Sequence, residues 1–151
     1  MTQVECIQDT LKHIHRVAIL LQEVIDKLFQ RGLKHDVSKL SEPELLAFTQ
    51  YTPLLKETKY GSEEYIQCLK NMKEAIDHHY KNSPHHPEFY KHGITEMNLL
   101  DIFEMLADWK AASERMKDGS LENSIIQNQK RFGYSNELRT LLLNTIKHLS
   151  W

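Results

Sequence analysis

The 151-residue chain has little of what staples, breaks or loosens a fold: two cysteines, four prolines and five glycines. Cys6 and Cys68 stand alone with no CxxC spacing, which excludes a disulfide framework and a thiolate-bound structural zinc. No apolar run approaches the length of a membrane span and the amino terminus has no signal-like pattern, so a reduced, cytoplasmic protein with no membrane partner is expected. Charge of one sign is also missing. Nineteen Lys and Arg nearly cancel twenty-one Asp and Glu, leaving a formal charge of -2. There is no global field to hold a nucleic-acid backbone, and general nucleic-acid binding is not expected. Apolar residues at 40% and charged residues at 26% exclude a disordered or collagenous chain. The length suits a single domain spanning residues 1–151.

What the chain does have is histidine. There are nine, and seven of them stand at positions 13, 15, 35, 78, 79, 85 and 86.

The pattern around them is helical, and no strand pair or internal repeat is evident. Val4, Ile7, Leu11, Ile14, Ala18, Leu21, Ile25 and Leu28 recur at alternating steps of three and four, which predicts a long amphipathic first helix ending near Gly32. The same heptad-like stripe permits a helical homodimer as well as a monomer core. Ser41-Glu42-Pro43-Glu44 reads as a capping box that opens a short second helix. Thr52-Pro53 and Lys59-Tyr60-Gly61 punctuate the middle. A third helix begins at Ser62 and carries Tyr65, Leu69, Met72, Ile76 and His79 on its inner line, until Asn82-Ser83-Pro84 breaks it. Thr95 is the expected cap of a fourth helix reaching about Lys117. Asp118-Gly119-Ser120 opens a fifth, and Gly133 with Ser135 precedes the last. The expectation is an all-α domain of five to six helices.

At about 100° per residue, each polar side chain can be placed against these stripes. His13 falls at the border of the first helix's apolar arc, where a hydrogen-bonded histidine is the plain reading, while His15 falls on the wet side. His35-Asp36 puts an imidazole beside a carboxylate just after a helix end. Asp101, Glu104 and Asp108 share one face of the fourth helix, which is apolar almost all round and therefore expected to be buried. Three like charges there call for a compensating cation, unless Asp101 and Glu104 serve as caps or pair with neighbours. His78, His79, His85 and His86 place four imidazoles within nine residues. His79 continues the inner line and His78 is turned away by one helical step. Imidazole and carboxylate donors without thiolate suit a divalent transition ion: iron, manganese, zinc, cobalt or nickel.

In this order His13, His35-Asp36, the paired histidines and Asp108 resemble the HD-domain superfamily of metal-dependent phosphohydrolases. His13-Ile14-His15-Arg16-Val17-Ala18 is similar to its HxxRVA opening, and His35-Asp36-Val37-Ser38-Lys39 to the HDxGK signature, with Ser38 in place of glycine. Leu106-Ala107-Asp108-Trp109-Lys110-Ala111-Ala112-Ser113 looks like the LADxxEAAS helix whose Asp closes the metal site. Asp101-Ile102-Phe103-Glu104 allows a second alignment. The chain as a whole, with HHYKNSPHHPE before MNLLDIFEMLADWKAA, looks most like a small uncharacterised bacterial and phage family.

The resemblance implies one or two divalent ions held by His13, His35, Asp36, His79, His86 and Asp108. It places His78, His85, Asp101, Glu104 and Asn82 as supporting or alternative residues. The implied activity is hydrolysis of a small nucleotide-like phosphoester by metal-activated water, with Asp36, Lys39, His79 and His86 at the reacting centre and Lys39 contacting the phosphate. The alternatives are a di-iron oxygenase built on the same ligands, and a non-catalytic metal- or nucleotide-binding accessory protein.

Overall fold

Thr2 opens the first helix with a capping box. Its hydroxyl accepts from the Glu5 N–H at 3.2 Å, and its own N–H donates to Glu5 Oε2 at 2.7 Å. In the computed structural model, which describes residues 1–59, 62–116 and 119–151, this helix, α1, runs over Gln3–Lys34. The chain divides into two units, Met1–His35 and Asp36–Trp151. The first is α1 alone, and its apolar stripe has no packing partner within that unit. Gly32 does not end it. The left-handed residue that follows is Asp36, at φ 58° and ψ 14°, a conformation that Asp visits more readily than most residues because its short polar side chain can hydrogen-bond locally.

The second unit holds a short 3-10 turn over Val37–Leu40 and then α2 (Glu44–Glu57), α3 (Glu63–Asn71), α4 (Lys73–Asn82), α5 (Leu99–Glu114), α6 (Leu121–Phe132) and α7 (Asn136–Leu149). Two further 3-10 turns, Pro87–Phe89 and Gly93–Glu96, lie between α4 and α5. The described residues form no strand, so the chain is all-α, with seven α-helices where five to six are expected from its pattern.

The differences have local causes. Pro53 sits inside α2; it costs one backbone hydrogen bond but does not stop the helix. The expected third helix is two, because Met72 leaves helical geometry at φ −88° and ψ 2° while its side chain is buried. Thr95 is not the cap of α5. Its hydroxyl donates to the His92 carbonyl, and Asn98 takes the cap, accepting from the N–H groups of Leu100 and Asp101. Helix α5 ends at Glu114 and buries one face only, with Asp101, Ile102, Met105 and Leu106 inward. Lys117 and Asp118, like Tyr60 and Gly61, lie outside the described residues. Ser120 caps α6 and Gly133, at φ 66°, closes it, as the pattern predicts.

The core forms where α5, α6 and α7 meet. Met105, Leu106, Leu121, Ile125, Tyr134, Leu142 and Ile146 are buried together, with Trp109 stacked on Phe132 at their edge. Within the second unit, α2, α3 and α4 form a second layer in which α2 packs on the 37–40 turn and on α4. Glu44, Met72, Ala75 and His79 are its buried residues. No helix among the described residues is long and apolar enough to cross a membrane.

Candidate metal centre

Four segments of the second unit bring the chemistry together. The left-handed turn at Asp36 starts the 37–40 turn, α2 contributes its first residue, α4 its last turn, and the bend after Ser83 returns His85 and His86 to the end of α4. Asp36, His79, His85 and His86 each offer one ligand atom, and these four atoms lie within 4.8 Å of one another. The group could hold a metal ion.

The distances show how. His79 Nε2 is 3.3 Å from Asp36 Oδ1 and 3.0 Å from His86 Nε2. His85 Nε2 is 3.6 Å from the same Asp36 oxygen. On its far side His79 meets Glu44, with Nδ1 at 2.9 Å from Oε2, and His85 meets Glu104, with Nδ1 at 3.2 Å from Oε1. A carboxylate only accepts, so these contacts suit the tautomer with the proton on Nδ1, which leaves each Nε2 lone pair facing inward. In that tautomer, lone pairs from two imidazoles face a carboxylate oxygen in a buried place, an arrangement that a cation among them stabilises.

Burial lowers the His79 pKa. The Lys39 charge adds to the fall, while Asp36 and Glu44 oppose it. His86 falls to about 3, first through burial and then through its neighbours His85 and His79, with Asp108 and Asp36 opposing. Both rings are therefore neutral near pH 7, the form in which imidazole ligates a metal.

Neighbours hold the rings in place. Phe48 packs edge-on against His79 at 6.2 Å, and Tyr80 lies 4.9 Å from His86. Arg131 donates to the Tyr80 hydroxyl at 3.3 Å and to Glu88 at 2.6 Å, tying α6 to the wall of the site. Lys39 bonds the outer oxygen of Asp36 at 2.6 Å and lies over the Phe48 ring.

Of the residues expected from the sequence, Asp36, Lys39, His79 and His86 come together. His85, expected only as an alternative, is buried and equal to them. A His85 ring nitrogen lies within 4.8 Å of an Asp108 oxygen, and the Asp108 charge acts on His86, so Asp108 belongs to the same neighbourhood. Glu104 supports His85. Asp101 closes the α5 cap, with Oδ2 accepting from the Asn98 N–H at 2.9 Å and from the Tyr90 hydroxyl at 2.7 Å. Asn82 donates to the His78 carbonyl and finishes α4. His13 stands on α1 and His35 is its C-terminal cap; both belong to the first unit.

Glu44 joins the site although its sequence pattern does not mark it as a site residue. Its motif reads as a capping box, yet the side chain makes no cap: it is fully buried and receives His78, His79 and Ser38. The signal was a carboxylate six residues after Ser38, in a segment already full of candidate ligands. Ser38 is not in a left-handed conformation that would want glycine; its hydroxyl donates to Glu44 Oε2 at 3.0 Å.

No curated protein and no solved structure matches the chain. A family model does match, over residues 2–148, and the chain belongs to that family of unknown function, DUF5662.

Proposed function

We propose that this protein is a metal-dependent phosphohydrolase acting on a small nucleotide-like phosphoester. The observation that carries the reading is the convergence of His79 Nε2, His85 Nε2, His86 Nε2 and Asp36 Oδ1, with Glu44 and Glu104 behind two of the rings. Those four residues, with Asp108 beside them, would hold a divalent transition ion such as iron, manganese, zinc, cobalt or nickel. Nitrogen and oxygen donors without sulfur are the set such ions take. When bound, the ion would polarise a phosphoryl oxygen and bring the pKa of a water towards neutrality.

The rest of the work falls to the chain. Glu44 and Glu104 keep the lone pairs of His79 and His85 aimed inward. Asp36 offers one oxygen to the centre and anchors Lys39 with the other. Lys39, a third of whose side chain stays open to solvent, presents a positive point charge to an incoming phosphate. That cation at the rim favours an anionic ester over the oxygen chemistry that the same ligands would also support. Tyr80, braced by Arg131, stops His86 from swinging away.

The test is phosphate release from a panel of nucleotides and simple phosphomonoesters by protein reconstituted with each ion in turn, with oxygen uptake followed in parallel. Phosphate release that disappears in Asp36→Ala supports the proposal. Oxygen uptake by the iron form without phosphate release, or ion binding with neither activity, overturns it.

A further inference from the structure

His78 and His79 are neighbours on α4, where successive side chains diverge by about 100°, yet both deliver Nδ1 to one carboxylate. Glu44 Oε1 receives His78 at 2.7 Å and Oε2 receives His79 at 2.9 Å. The Ser38 hydroxyl donates to Oε2 as well, at 3.0 Å. Glu44 is fully buried, and among the described residues it meets these three donors, none of them a lysine or arginine. A buried carboxylate is costly and persists when its lone pairs are filled. It also stands in the first turn of α2, where the helix dipole favours negative charge.

From this we infer that Glu44 is the positioning residue of the centre: gripped by His78 and Ser38, it fixes the tautomer and ring orientation of His79, so that Nε2 faces Asp36 and His86. The inference rests on the metal-site reading above. His78 is part of this grip and is not a ligand. Its Nδ1 is spent on Glu44 and its Nε2 points towards Asn82, 3.4 Å away. Ser38 couples the turn that carries Asp36 to the carboxylate that holds His79, so both sides of the centre share one support.

The experiment uses the full chain and zinc alone as the probe. Zinc affinity is measured by chelator competition in wild type, Glu44→Gln, Ser38→Ala, His78→Ala and His79→Ala, with helical content followed by circular dichroism. The expected result is a 10- to 100-fold loss of affinity in Glu44→Gln, a smaller loss in Ser38→Ala and His78→Ala, and the largest in His79→Ala. Imidazole nitrogen NMR of the metal-free protein should show His79 protonated on Nδ1 in wild type and shifted towards the Nε2–H form in Glu44→Gln. A purely structural glutamate would lower the melting temperature and leave the tautomer alone. Wild-type affinity and tautomer in Glu44→Gln, with His79→Ala defective, overturn the inference and leave the metal centre standing. Full zinc binding by His79→Ala overturns both. If Glu44→Gln does not fold, Ser38→Ala and His78→Ala carry the test: unchanged affinity and an unchanged His79 tautomer in both overturn the inference.

Discussion

Asp36 Oδ1 lies 3.3 Å from His79 Nε2, although 43 positions separate the two residues. This carboxylate–imidazole pair is the centre of the candidate metal site, so the first expectation concerns metal content. Asp36→Ala and His86→Ala should each lose most of the bound transition ion found by elemental analysis of protein purified without chelator, with helical content retained. Wild-type stoichiometry in both variants would remove the metal assignment.

Asp101 makes the opposite case on the same helix that carries Asp108. Its carboxylate is consumed by the Asn98 N–H and the Tyr90 hydroxyl, so Asp101→Asn should keep full metal content. It should lower stability by about 1 kcal/mol, the usual worth of a helix cap. Urea unfolding and elemental analysis of the same preparation separate the two roles; metal loss in this variant would return Asp101 to the ligand set.

Lys39 bonds Asp36 and faces solvent at the rim of the centre. If it meets the substrate phosphate, Lys39→Met should raise KM roughly tenfold, the effect of one charge-assisted hydrogen bond of about 1.5 kcal/mol. Metal content should change little and Lys39→Arg should recover most of the loss. Steady-state kinetics on whichever phosphoester is turned over decides this, and an unchanged KM in Lys39→Met would leave the lysine as a support for Asp36 alone.

The α5–α7 core carries its own pH signature. Burial raises the Tyr134 pKa to about 12, with Arg139 opposing, and its hydroxyl donates to the Ile125 carbonyl. The unfolded chain gives up this proton near pH 10 and the fold holds it until about 12. The contribution is therefore complete below 10 and is lost as pH rises through 12. Thermal unfolding between pH 9 and 12 should fall less steeply for Tyr134→Phe than for wild type; parallel curves would show that the hydroxyl contributes no such linkage.

Packing in that core sets the scale of stability. Ile125 is completely buried among Leu106, Leu121 and Leu142, so Ile125→Ala should cost about 3 kcal/mol through lost burial and the cavity it leaves. Denaturant midpoints would show it, and a loss below about 1 kcal/mol would mean the helices close around the gap.

Local pattern is enough for much of this protein. The three-four recurrence of apolar residues sets an all-α class, because a helix shows its buried face within two turns of sequence. It also puts His79 on an inner line and Asp108 on the face shared with Glu104. Ser120, Gly133 and Ser135 mark their helix ends through short-range hydrogen bonds or a left-handed residue, which sequence neighbours alone decide. What the pattern does not carry is which distant groups meet. Glu44 looks like a cap, because a cap and a buried ligand-holder use the same residue type at the start of a helix. Only the packing of α2 on α4 turns it towards His78 and His79. His85 and His86 are indistinguishable by position, and the bend after Ser83 brings both inward. The residues that would bind a metal are legible as types and spacings, whereas their convergence on one point depends on contacts between segments far apart in the chain, and these exist only once the helices have packed.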